Sequence, residues 1–368
     1  MGEWREYKIS DIADVIGGGT PKTSIEEYWN GDIPWLSPRD LTGYDRVYIS
    51  HGDRFITEKG LKKSSAKMMP KGSILLTSRA PIGYVAIAEN EICTNQGFKS
   101  LIPREDISNS EFLYYWIKNK IDYLQQLGTG TTFAEISGGV IKGINISLPP
   151  LKEQKAIAEV LSSLDDKIDL LHRQNKTLEE MAQTLFRQWF IEEADEGWEV
   201  IFFNDLVDIS SGKSLKRTFF NDDGKYEVLG ANGVIGRTDE WLFDEKLIFT
   251  GRVGTLGNIF INDKKAWLSD NTLVFKPKEY FYYIYFLLKS FKLENYNVGS
   301  TQPLIRQSDL KNIDISLAPK DLILNFEKQA NDIFIKINQN KKQIKTLENT
   351  RDTLLPKLMS GEVRIKDE

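Results

Sequence analysis

The chain has 368 residues but only one cysteine, Cys93, and two histidines, His51 and His172. A single cysteine excludes an internal disulfide and any zinc site built from several cysteines. It is typical of proteins that fold in a reducing compartment, so we expect a cytoplasmic protein. The two histidines are far apart in sequence. His172 falls within a predicted helix, where a solvated surface position is the simpler interpretation.

Long hydrophobic segments are also missing. The longest apolar run, Tyr280–Leu288, is too short to span a bilayer, because a membrane-spanning helix needs about 20 apolar residues. The first ten residues, MGEWREYKIS, lack the apolar core of a signal peptide. The sequence therefore predicts a protein without a membrane anchor or a signal peptide.

Motifs for catalysis are missing as well. Gly212-Lys213-Ser214 resembles the end of a phosphate-binding loop, but Val207 stands where that motif requires its first glycine. Gly17–Gly19 lacks the second half of a dinucleotide fingerprint and is better explained as a turn. The double proline, Pro149-Pro150, is not in the Asp/Asn-Pro-Pro-Phe/Tyr context that a DNA aminomethyltransferase needs. With no nucleophile–base pair, metal cluster or cofactor loop, we predict a chain that is not itself an enzyme and holds no metal or cofactor.

Positive charge is not concentrated in any part of the chain. The net charge is −5, and neither the two domains nor the two helices proposed below are strongly basic. Phosphate contacts usually dominate the affinity of a DNA-binding protein. A DNA-binding role would therefore require local basic patches or a basic partner.

What the chain does contain is a long internal repeat. Lys142–Pro150 recurs 169 residues later as Lys311–Pro319, and the same offset relates Lys176–Glu179 to Lys345–Glu348. Such a period is far too long for a solenoid, so it indicates two similar domains, each followed by a similar helix. Upstream, the residues that we match are Trp4 with Trp198, Thr77 and Arg79 with Thr250 and Arg252, Asn95 with Asn271, and Gly128-Thr129 with Gly299-Ser300.

These patterns predict an α+β protein with a pseudo-two-fold internal repeat. Short apolar runs bounded by turn residues predict strands at 73–77, 84–88 and 144–148, and apolar periodicity predicts a helix over 111–127. The expected parts are a mixed α/β domain at 1–150, a helix at 151–192, a second such domain at 193–319, a second helix at 320–358 and a tail at 359–368.

Both long helices carry a heptad stripe. Apolar residues recur at steps of three, four or seven along 157–185 and along 326–354. Asn175 and Asn340 interrupt the two stripes, and each is matched by an apolar residue in the other copy. We expect the two helices to pair as an antiparallel coiled coil that separates the two domains. A generic helical hairpin is the alternative.

Several loops combine glycine with hydroxyl, amide and basic side chains, which are the groups that contact phosphates and base edges in DNA. Taken singly, each loop is more simply a solvated turn. The matched pairs Thr77/Arg79 and Thr250/Arg252 are the informative feature. The candidate DNA-binding residues are Thr20, Lys22, Ser37, Arg39, Thr77, Ser78, Arg79, Gln96, Lys99, Thr129 and Thr131 in the first domain, and Lys213, Lys216, Arg217, Asn232, Arg252, Asn271, Ser300, Thr301 and Gln302 in the second.

Five long strings carry a resemblance to a known family: GGGTPKTSIEEYWNGDIPWLSPRDL (17–41), ILLTSRAPIGYVAI (74–87), TNQGF (94–98), LPPLKEQKAIAEVLSSLDDKIDLLHRQNKTLEEMAQTLFRQWF (148–190) and LLPKLMSGEVRI (354–365). Over its whole length the chain resembles the specificity subunit of type I restriction–modification systems. The resemblance implies that each domain is similar to the recognition domain of adenine-N6 methyltransferases. Each would read one half of a bipartite, asymmetric double-stranded DNA target, with the helices as a ruler for the unread spacer.

The resemblance also implies protein partners. Two modification (methyltransferase) subunits would bring S-adenosylmethionine and flip the adenine, and a restriction subunit would bring ATP and Mg. The modification subunits would also share the phosphate contacts, which explains why the chain itself need not be basic. The helix residues that we expect to face the modification subunits are Gln154, Ile157, Leu161, Phe186 and Trp189.

The second domain matches the family strings less well than the first, so we expect the two domains to read different half-sites. Two alternatives stay open at this point. One is the specificity chain of another bipartite-target (type IIB- or IIG-like) system, in which nuclease and methyltransferase share one partner. The other is a coiled-coil scaffold with two protein-binding domains, which would have no affinity for DNA.

Overall fold

The computed structural model describes residues 3–130, 134–254, 256–299 and 303–365. The chain divides into two compact units. The first unit comprises residues 1–173 together with 341–368, and the second comprises residues 174–340. Each unit therefore includes part of both long helices.

The first unit contains most of its secondary structure before residue 150. Its strands are β1 (Arg5–Lys8), β2 (Ala13–Gly17), β3 (Trp29–Leu36), β4 (Tyr48–Ile49), β5 (Arg54–Ile56), β6 (Met68–Met69), β7 (Ile74–Ser78), β8 (Ile82–Ala88), β9 (Ile92–Thr94), β10 (Lys99–Pro103) and β11 (Asn145–Leu148). Its short helices are α1 (Ile9–Ile12), α2 (Glu58–Lys62), α3 (Ser110–Asn119), α4 (Ile121–Gln126) and α5 (Gly138–Lys142). The long helix α6 (Leu151–Arg187) begins in this unit, and a π-helical turn (Gln188–Glu192) follows it.

Strand β7 lies inside a five-stranded sheet with the order β2-β10-β7-β8-β4. Its residues are buried throughout. Side chains alternate across a strand, so Ile74 and Leu76 pack with the aromatic residues of α3 on one face, and Leu75 packs with Phe98 on the other. Both faces of this sheet are covered, and its loops at the strand ends are where binding groups have to be sought.

Helix α3 shows how the sequence prediction and the structure differ in detail. The predicted single helix over 111–127 is two helices, α3 and α4, separated at Lys120, whose backbone (φ −114°, ψ 14°) is not helical. The side chain of Asn109 accepts a hydrogen bond from the backbone N–H of Phe112 and starts α3. The break lets Leu124 on α4 enter the same core as α3.

The second unit repeats a similar order of elements. Its strands are β12 (Glu199–Phe202), β13 (Val207–Ser211), β14 (Tyr226–Gly230), β15 (Gly233–Thr238), β16 (Leu247–Gly251), β17 (Ile259–Asn262), β18 (Ala266–Leu268), β19 (Thr272–Pro277) and β20 (Asp314–Leu317). Its helices are α7 (Phe203–Leu206), α8 (Phe281–Ser290) and α9 (Gln307–Lys311), and the long helix α10 (Lys320–Ser360) begins in it.

Two sheets and an aromatic core organise the second unit. The strand orders are β13-β19-β16-β17 and β15-β14-β18, and β12 pairs with β20 alone. On one side, Tyr283 and Phe286 of α8 pack with Phe186 of α6 and Phe326 of α10. A smaller cluster that includes Leu229 fills the other side. Helix α8 is therefore held by both long helices.

Within the first unit, α6 and α10 run in opposite directions. Ile168 and Leu171 of α6 cluster with Ile344 and Leu347 of α10. Nearer the start of α6, Ile157 and Leu161 share a core with residues nearer the end of α10, such as Leu358. Apolar residues at heptad spacing thus meet across this part of the helix pair.

Within the second unit the same two helices also run in opposite directions. Asn340 Nδ2 of α10 donates to Asn175 Oδ1 of α6 (2.9 Å), whereas Phe326, earlier on α10, contacts Phe186, later on α6 (5.6 Å between ring centroids).

Over the ranges that the structure covers, no helix is long and apolar enough to cross a membrane.

Candidate nucleic-acid interface

The polar loops of the first unit are gathered by backbone hydrogen bonds. The N–H of Gly19 donates to the carbonyl of Thr94 (2.8 Å), and the N–H of Asn95 donates to the carbonyl of Leu36 (2.8 Å). The loop that follows β2, the end of β3 and the 94–98 loop therefore meet. Three of the predicted loops therefore lie side by side, and main-chain hydrogen bonds connect them.

The end of β7 joins the same group of loops. The N–H of Ser78 donates to the carbonyl of Gly97 (2.7 Å), and the carbonyl of Ser78 accepts from the N–H of Ile136 (2.9 Å). Thr129 and Glu135 exchange two backbone hydrogen bonds (3.0 and 3.1 Å). We call the assembled segments 17–22, 37–40, 77–81, 94–99, 128–130 and 134–136 the first loop cluster. Thr131, a predicted site residue, lies outside the described residues.

Gly18 is required for this close approach. A Cβ built on it would lie 2.1 Å from the carbonyl oxygen of Asn95 and 2.4 Å from that of Thr94. No side chain fits there without moving the backbone. The indole N–H of Trp35 donates to the carbonyl of Gly19 (2.9 Å) and fixes the next residue of the loop.

Two of the predicted DNA-binding residues contact each other directly. The Thr20 hydroxyl hydrogen-bonds to the side-chain oxygen of Gln96. The Ser37 hydroxyl donates to Asp40 Oδ2 (2.8 Å), which also accepts from the Ser37 backbone N–H (2.7 Å). Ser37 thus caps the 3₁₀ turn that starts at Pro38. Its hydroxyl has a structural role, whereas Gln96 is exposed at the edge of the cluster.

The prediction that Thr77 and Ser78 contact DNA is wrong. Both side chains are fully buried. The Thr77 hydroxyl donates to the carbonyl of Pro81 (2.8 Å) and accepts from the N–H of Tyr84 (2.9 Å), so it shapes the β7–β8 connection. The Ser78 hydroxyl donates to the carbonyl of Gly97 (3.1 Å). Hydroxyl groups engaged in this way are not available to a ligand.

Arg79 and Lys99 share one carboxylate. Glu135 accepts Lys99 Nζ at 3.2 Å and lies 3.8 Å from Arg79 Nη1. The side chains of Arg79 and Glu135 are 36% and 38% exposed, so a phosphate could compete for Arg79 with Glu135. Glu135 was not identified from the sequence, because an isolated acidic residue in a polar loop carries no signal there. Lys22, Arg39 and Thr129 are exposed.

The second unit gathers its loops with equivalent bonds. The N–H of Lys213 donates to the carbonyl of Leu268 (2.9 Å), and the N–H of Ser269 donates to the carbonyl of Leu229 (2.9 Å). The indole N–H of Trp267 donates to the carbonyl of Lys213 (2.7 Å). A Cβ on Gly212 would lie 2.2 Å from the carbonyl oxygen of Ser269. Gly212 and Lys213 here have the bonding pattern that Gly18 and Gly19 have in the first unit.

The matched pair of arginines is shifted by one residue. In the second unit, it is Arg252 whose N–H donates to the carbonyl of Asn271 (2.8 Å) and whose carbonyl accepts from Ile305 (3.0 Å). Those are the bonds that Ser78 makes in the first unit. Val253 forms an isolated β-bridge with Leu304, and Arg79 forms the corresponding bridge with Glu135. The sequence match of Arg79 with Arg252 is therefore wrong by one position.

Two other matches are each shifted by two residues. Asn271 has the backbone position of Gly97 and not that of Asn95, because its carbonyl accepts the bond from Arg252 as the carbonyl of Gly97 accepts the bond from Ser78. The N–H of Val298 donates to the carbonyl of Leu304 as Thr129 does to Glu135. Thr129 therefore corresponds to Val298, two residues before the predicted Ser300. Differences of one or two residues in loop length explain these errors.

Arg252 is the most distinctive basic group of the second unit. Its Nε atom is buried and has no hydrogen-bond partner within the described part of the chain. Nearby, the Thr250 hydroxyl donates to the carbonyl of Asn258 (2.7 Å), and Asn258 Nδ2 lies 3.5 Å from Asn232 Oδ1. A buried guanidinium nitrogen without a partner is costly, so a ligand that accepts its hydrogen bond would be favoured.

The remaining predicted groups of the second unit are at the surface. Lys213, Lys216, Arg217, Asn232 and Asn271 are exposed. We call the segments 211–217, 230–233, 251–254, 256–258, 268–272 and 303–307 the second loop cluster. Ser300, Thr301 and Gln302 lie outside the described residues.

One difference between the two clusters was not predicted. In the first unit β3 is followed by the segment Ser37–Asp53 before it pairs with β5, with Trp35 opposite Arg54. In the second unit the equivalent strand β14 turns at once through Ala231-Asn232 into β15. The second unit has no segment equivalent to Ser37–Asp53 between these strands, and this difference accounts for part of the shorter length of the second domain.

The prediction that Gln154, Ile157, Leu161 and Phe186 face protein partners is wrong. All four are at most 2% exposed in the chain by itself, so they pack inside their own units. The Gln154 side chain accepts from the N–H of Asn109 (3.0 Å) and donates to two carbonyls. Their positions beside the heptad stripe suggested a free face, but the domain cores cover it. Trp189 is partly buried against the core of the second unit.

A buried ion pair supports the first unit at a distance from its loops. Arg351 Nη1 of α10 donates to Asp165 Oδ1 of α6 (2.6 Å), and the Tyr115 hydroxyl donates to Asp165 Oδ2 (2.8 Å). Burial, with the neighbouring Asp165 charge, raises the pKa of Tyr115 above its ordinary value. Tyr115 therefore stays protonated and remains a donor to this carboxylate.

The cavity beside this ion pair does not suit a nucleic acid. It has a volume of about 290 Å³, and its lining includes Asp45, Glu89, Asp166 and Asp169. Burial raises the pKa of Asp166, and the charges of Asp165 and Asp169 raise it further. Such a surface repels phosphate. Within the described residues, no group of three or more His, Cys, Asp or Glu side chains could hold a metal ion.

Comparisons with known proteins agree on one family. The family profile described as "Type I restriction modification DNA specificity domain" matches residues 1–180 and 195–349. The MjaIX specificity subunit of Methanocaldococcus jannaschii is 38% identical over 413 aligned positions, which cover 99% of this chain and 94% of the relative. The EcoR124I/EcoR124II specificity subunit of Escherichia coli is 32% identical over 44% of this chain and 41% of its own.

A solved structure supports the same assignment at the level of the fold. The crystal structure of the type I restriction–modification S subunit from M. genitalium aligns with a TM-score of 0.61 and 20% identity, covering 99% of this chain and 97% of that one. Because the profile covers most of the sequence in two matches and the full-length relative exceeds 30% identity, the chain belongs to the type I restriction–modification DNA specificity family.

Proposed function

We propose that this chain is the DNA-recognition subunit of a type I restriction–modification complex and that its two loop clusters read the two halves of a bipartite, asymmetric target. The observation that carries the proposal is the shared backbone scaffold. Equivalent hydrogen bonds hold the loops at Gly18–Gly19 and at Gly212-Lys213. The exposed side chains of these loops differ between the two units, so the two halves of the target would differ.

The proposed domains follow the repeat. Residues 1–150 and 193–319 would be the two recognition domains, related as internal repeats. Residues 151–192 and 320–358 would be spacer helices that pair as an antiparallel coiled coil and set the distance between the half-sites. The contacts of Ile168 and Leu171 with α10, and the Asn175–Asn340 hydrogen bond, support this pairing.

The proposed contacts follow from exposure and charge. Lys22, Arg39, Lys216 and Arg217 are exposed cations suited to phosphates. Gln96, Asn232, Arg252 and Asn271 carry groups that pair with base edges. We assign Thr77 and Ser78 to the scaffold and remove them from the contact set.

We further propose that the chain itself performs no chemistry. Modification subunits would supply S-adenosylmethionine and methyl transfer, and restriction subunits would supply ATP- and Mg-dependent cleavage. Two modification subunits would fit a chain with two recognition domains. They would also add phosphate contacts to those of this chain, whose net charge of −5 is unfavourable for binding DNA by itself. The free, buried thiol of Cys93 is in keeping with a cytoplasmic location.

The test is to co-express the chain with its cognate modification subunits and to sequence the host DNA for N6-methyladenine. A single bipartite, asymmetric motif methylated on both strands is the expected result. A well-formed complex that leaves the DNA unmethylated would contradict the proposal and favour a protein-binding scaffold. A continuous motif would contradict the two-domain reading of the target.

A further inference from the structure

The β14–β15 hairpin exposes apolar residues on an edge strand. Val234 and Ile235 of β15 are 58% and 54% exposed, and β15 is the outer strand of its three-stranded sheet. Exposed apolar edges are usually avoided because they promote association. Their presence here indicates that this edge is covered when the protein works.

A polar segment of the chain contacts β15 next to this edge. The Phe220 ring packs directly on Gly236, and the N–H of Asn221 donates to the carbonyl of Arg237 (2.9 Å). The 3₁₀ turn Arg217–Phe219 directly precedes this contact, so the exposed cations Lys216 and Arg217 lie within four residues of a residue that packs on β15. The carboxylates of the hairpin, Glu227 and Asp239, lie at its other end, away from the turn at Asn232.

We propose that the β15 edge enters the major groove of the half-site read by the second unit. This inference rests on the proposed function and extends it to a particular element. A two-stranded ribbon fits the major groove, apolar side chains contact thymine methyl groups, and asparagine pairs with adenine. Val234 and Ile235 meet the methyl groups, Asn232 meets a base edge, and Lys216 and Arg217 meet the flanking phosphates.

Two features favour DNA over an apolar protein partner. The exposed charges directly before the Phe220 contact, Lys216 and Arg217, are positive, as a phosphate backbone requires. The hairpin also starts from the strand equivalent to β3, whose own continuation, Ser37–Asp53, belongs in part to the first loop cluster. The two units therefore carry different elements after equivalent strands, as the recognition of two different half-sites requires.

The experiment compares Val234→Ser/Ile235→Ser with wild type, each co-expressed with the modification subunits, by sequencing host DNA for N6-methyladenine. The expected result is tolerance of other bases at one or more thymine positions of one half-site, with the other half-site unchanged. The matched control is Val200→Ser, because Val200 is 63% exposed on β12 of the same unit and lies outside the loop cluster. The control should keep the wild-type motif.

The outcomes are distinct. An unchanged motif and methylation level in the double variant would overturn the inference and leave the proposed function standing. Loss of the complex with a folded subunit would also overturn it, because the edge would then be a protein contact. A wild-type complex that methylates nothing would overturn the proposed function and this inference together.

A second inference comes from the helices and is independent of the hairpin. In the seam between α6 and α10, Asn340 is 1% exposed and hydrogen-bonds to Asn175, and its own Oδ1 atom is buried without a partner among the described residues. A buried amide pair stabilises less than an apolar pair. The repeat offset shows what it replaces: Leu171 is the counterpart of Asn340, and Ile344 is the counterpart of Asn175.

We infer that this pair makes the two helices of one chain choose each other over the same helices of a second copy. If α6 paired in this register with α6 of another chain, Asn175 would face Leu171. If α10 paired with α10, Asn340 would face Ile344. Each mismatch buries an amide without an amide partner, which disfavours the wrong dimer by roughly 10-fold. Only the pairing of α6 with α10 places Asn175 beside Asn340 and Leu171 beside Ile344.

The test uses the full chain with Asn175→Ile/Asn340→Leu, which copies the Ile344–Leu171 pair into the second position. After refolding from denaturant, light scattering should show a concentration-dependent dimer at roughly 10-fold higher fraction than in wild type. The control, Leu171→Ile/Ile344→Leu, exchanges two apolar residues and should refold as wild type does. Equal dimer fractions in the double variant and wild type, with both chains folded by circular dichroism, would overturn this inference.

Discussion

Arg252 and Arg79 differ in their surroundings, although the sequence pairs them. Arg79 lies near Glu135, which it shares with Lys99, whereas the Nε atom of Arg252 is buried without a partner among the described residues. We expect Arg252→Ala to cost the complex about 1–3 kcal/mol of affinity and to relax one position of one half-site. Competition binding with duplexes altered at each base pair measures this. Equal weakening on every duplex would instead identify a phosphate contact.

Glu327 provides a residue-scale prediction for pH. Its Oε1 accepts the N–H of Tyr283 at the start of α8 (2.6 Å). Burial raises its pKa, and the backbone bonds from Tyr283 and Tyr282 and the charge of Lys246 only partly oppose this. Because the folded pKa lies above the unfolded one, the folded state binds more protons. The contribution of Glu327 to stability is therefore present at low pH and is lost as pH rises through the raised pKa.

Glu327→Gln removes this titration and keeps an acceptor for Tyr283. Its stability relative to wild type should therefore rise between acidic and neutral pH, as measured by urea unfolding at a series of pH values. Glu327→Ala should lose about 1–2 kcal/mol because the acceptor is gone. A constant difference between the glutamine variant and wild type across pH would show that the carboxyl group is not perturbed.

At the scale of elements, the close approach of the loops at Gly18 can be tested by adding one methyl group. A Cβ there meets carbonyl oxygens at 2.1 and 2.4 Å, so Gly18→Ala should destabilise the protein by about 1–3 kcal/mol. Gly139→Ala is the control. Its Cβ would meet no atom closer than 3.8 Å, and in helix α5 it should be neutral or stabilise by up to about 1 kcal/mol. Thermal unfolding that ranks the two variants in the other order would contradict this account.

Gln154 tests the corrected role of the early part of α6. Its side chain joins the N–H of Asn109 to the carbonyls of Ile107 and Pro149. Gln154→Ala should lower the free energy of unfolding by about 2–3 kcal/mol, because buried polar groups are left unpaired. Lys155→Ala, at an exposed neighbouring position, should change it little. Loss of partner binding without loss of stability in the Gln154 variant would restore the original prediction.

What the sequence reveals at this scale depends on how local the signal is. The predicted strands at 73–77, 84–88 and 144–148 are confirmed within a residue or two as β7, β8 and β11, because apolar runs between turns are local patterns. The single helix over 111–127 is wrong, because the break at Lys120 comes from packing. The residues proposed for partner binding failed for the same reason: a helix stripe does not show which domain covers its flank.

The site residues show the same limit. Composition identified the loops that come together. It did not show that the hydroxyl groups of Thr77 and Ser78, which are of a type common in ligand sites, donate to backbone carbonyls instead. The one-residue shift of Arg252 relative to Arg79 is visible only in the hydrogen bonds. An alignment of the two repeats can place a gap at several positions in a short loop. The backbone hydrogen bonds show which residues are equivalent.

For the whole molecule, charge gives a prediction about salt. The chain has 48 basic and 53 acidic residues, and its net charge of −5 disfavours binding to phosphates. Each phosphate contact adds about −0.9 to the slope of log affinity against log salt. The chain alone should therefore bind duplex DNA weakly and with a shallower slope than the complex with modification subunits. Within the complex, Lys22→Ala and Arg39→Ala should each reduce the slope by about 1. Fluorescence anisotropy at several salt concentrations measures both; equal slopes for chain and complex would contradict the shared phosphate contacts.

Peptide groups, which every residue type except proline supplies in full, make many of the hydrogen bonds that hold the loop clusters together. Side chains are constrained at Gly18 and Gly212, which have no room for one, and at buried positions such as Thr77 and Ser78, whereas most exposed loop side chains contribute little to folding. Under the proposed function, mutations at those exposed positions would therefore change recognition without the usual loss of stability. A lineage carrying this chain would then move from one target to another in small steps, and each intermediate would remain a folded subunit on which selection acts.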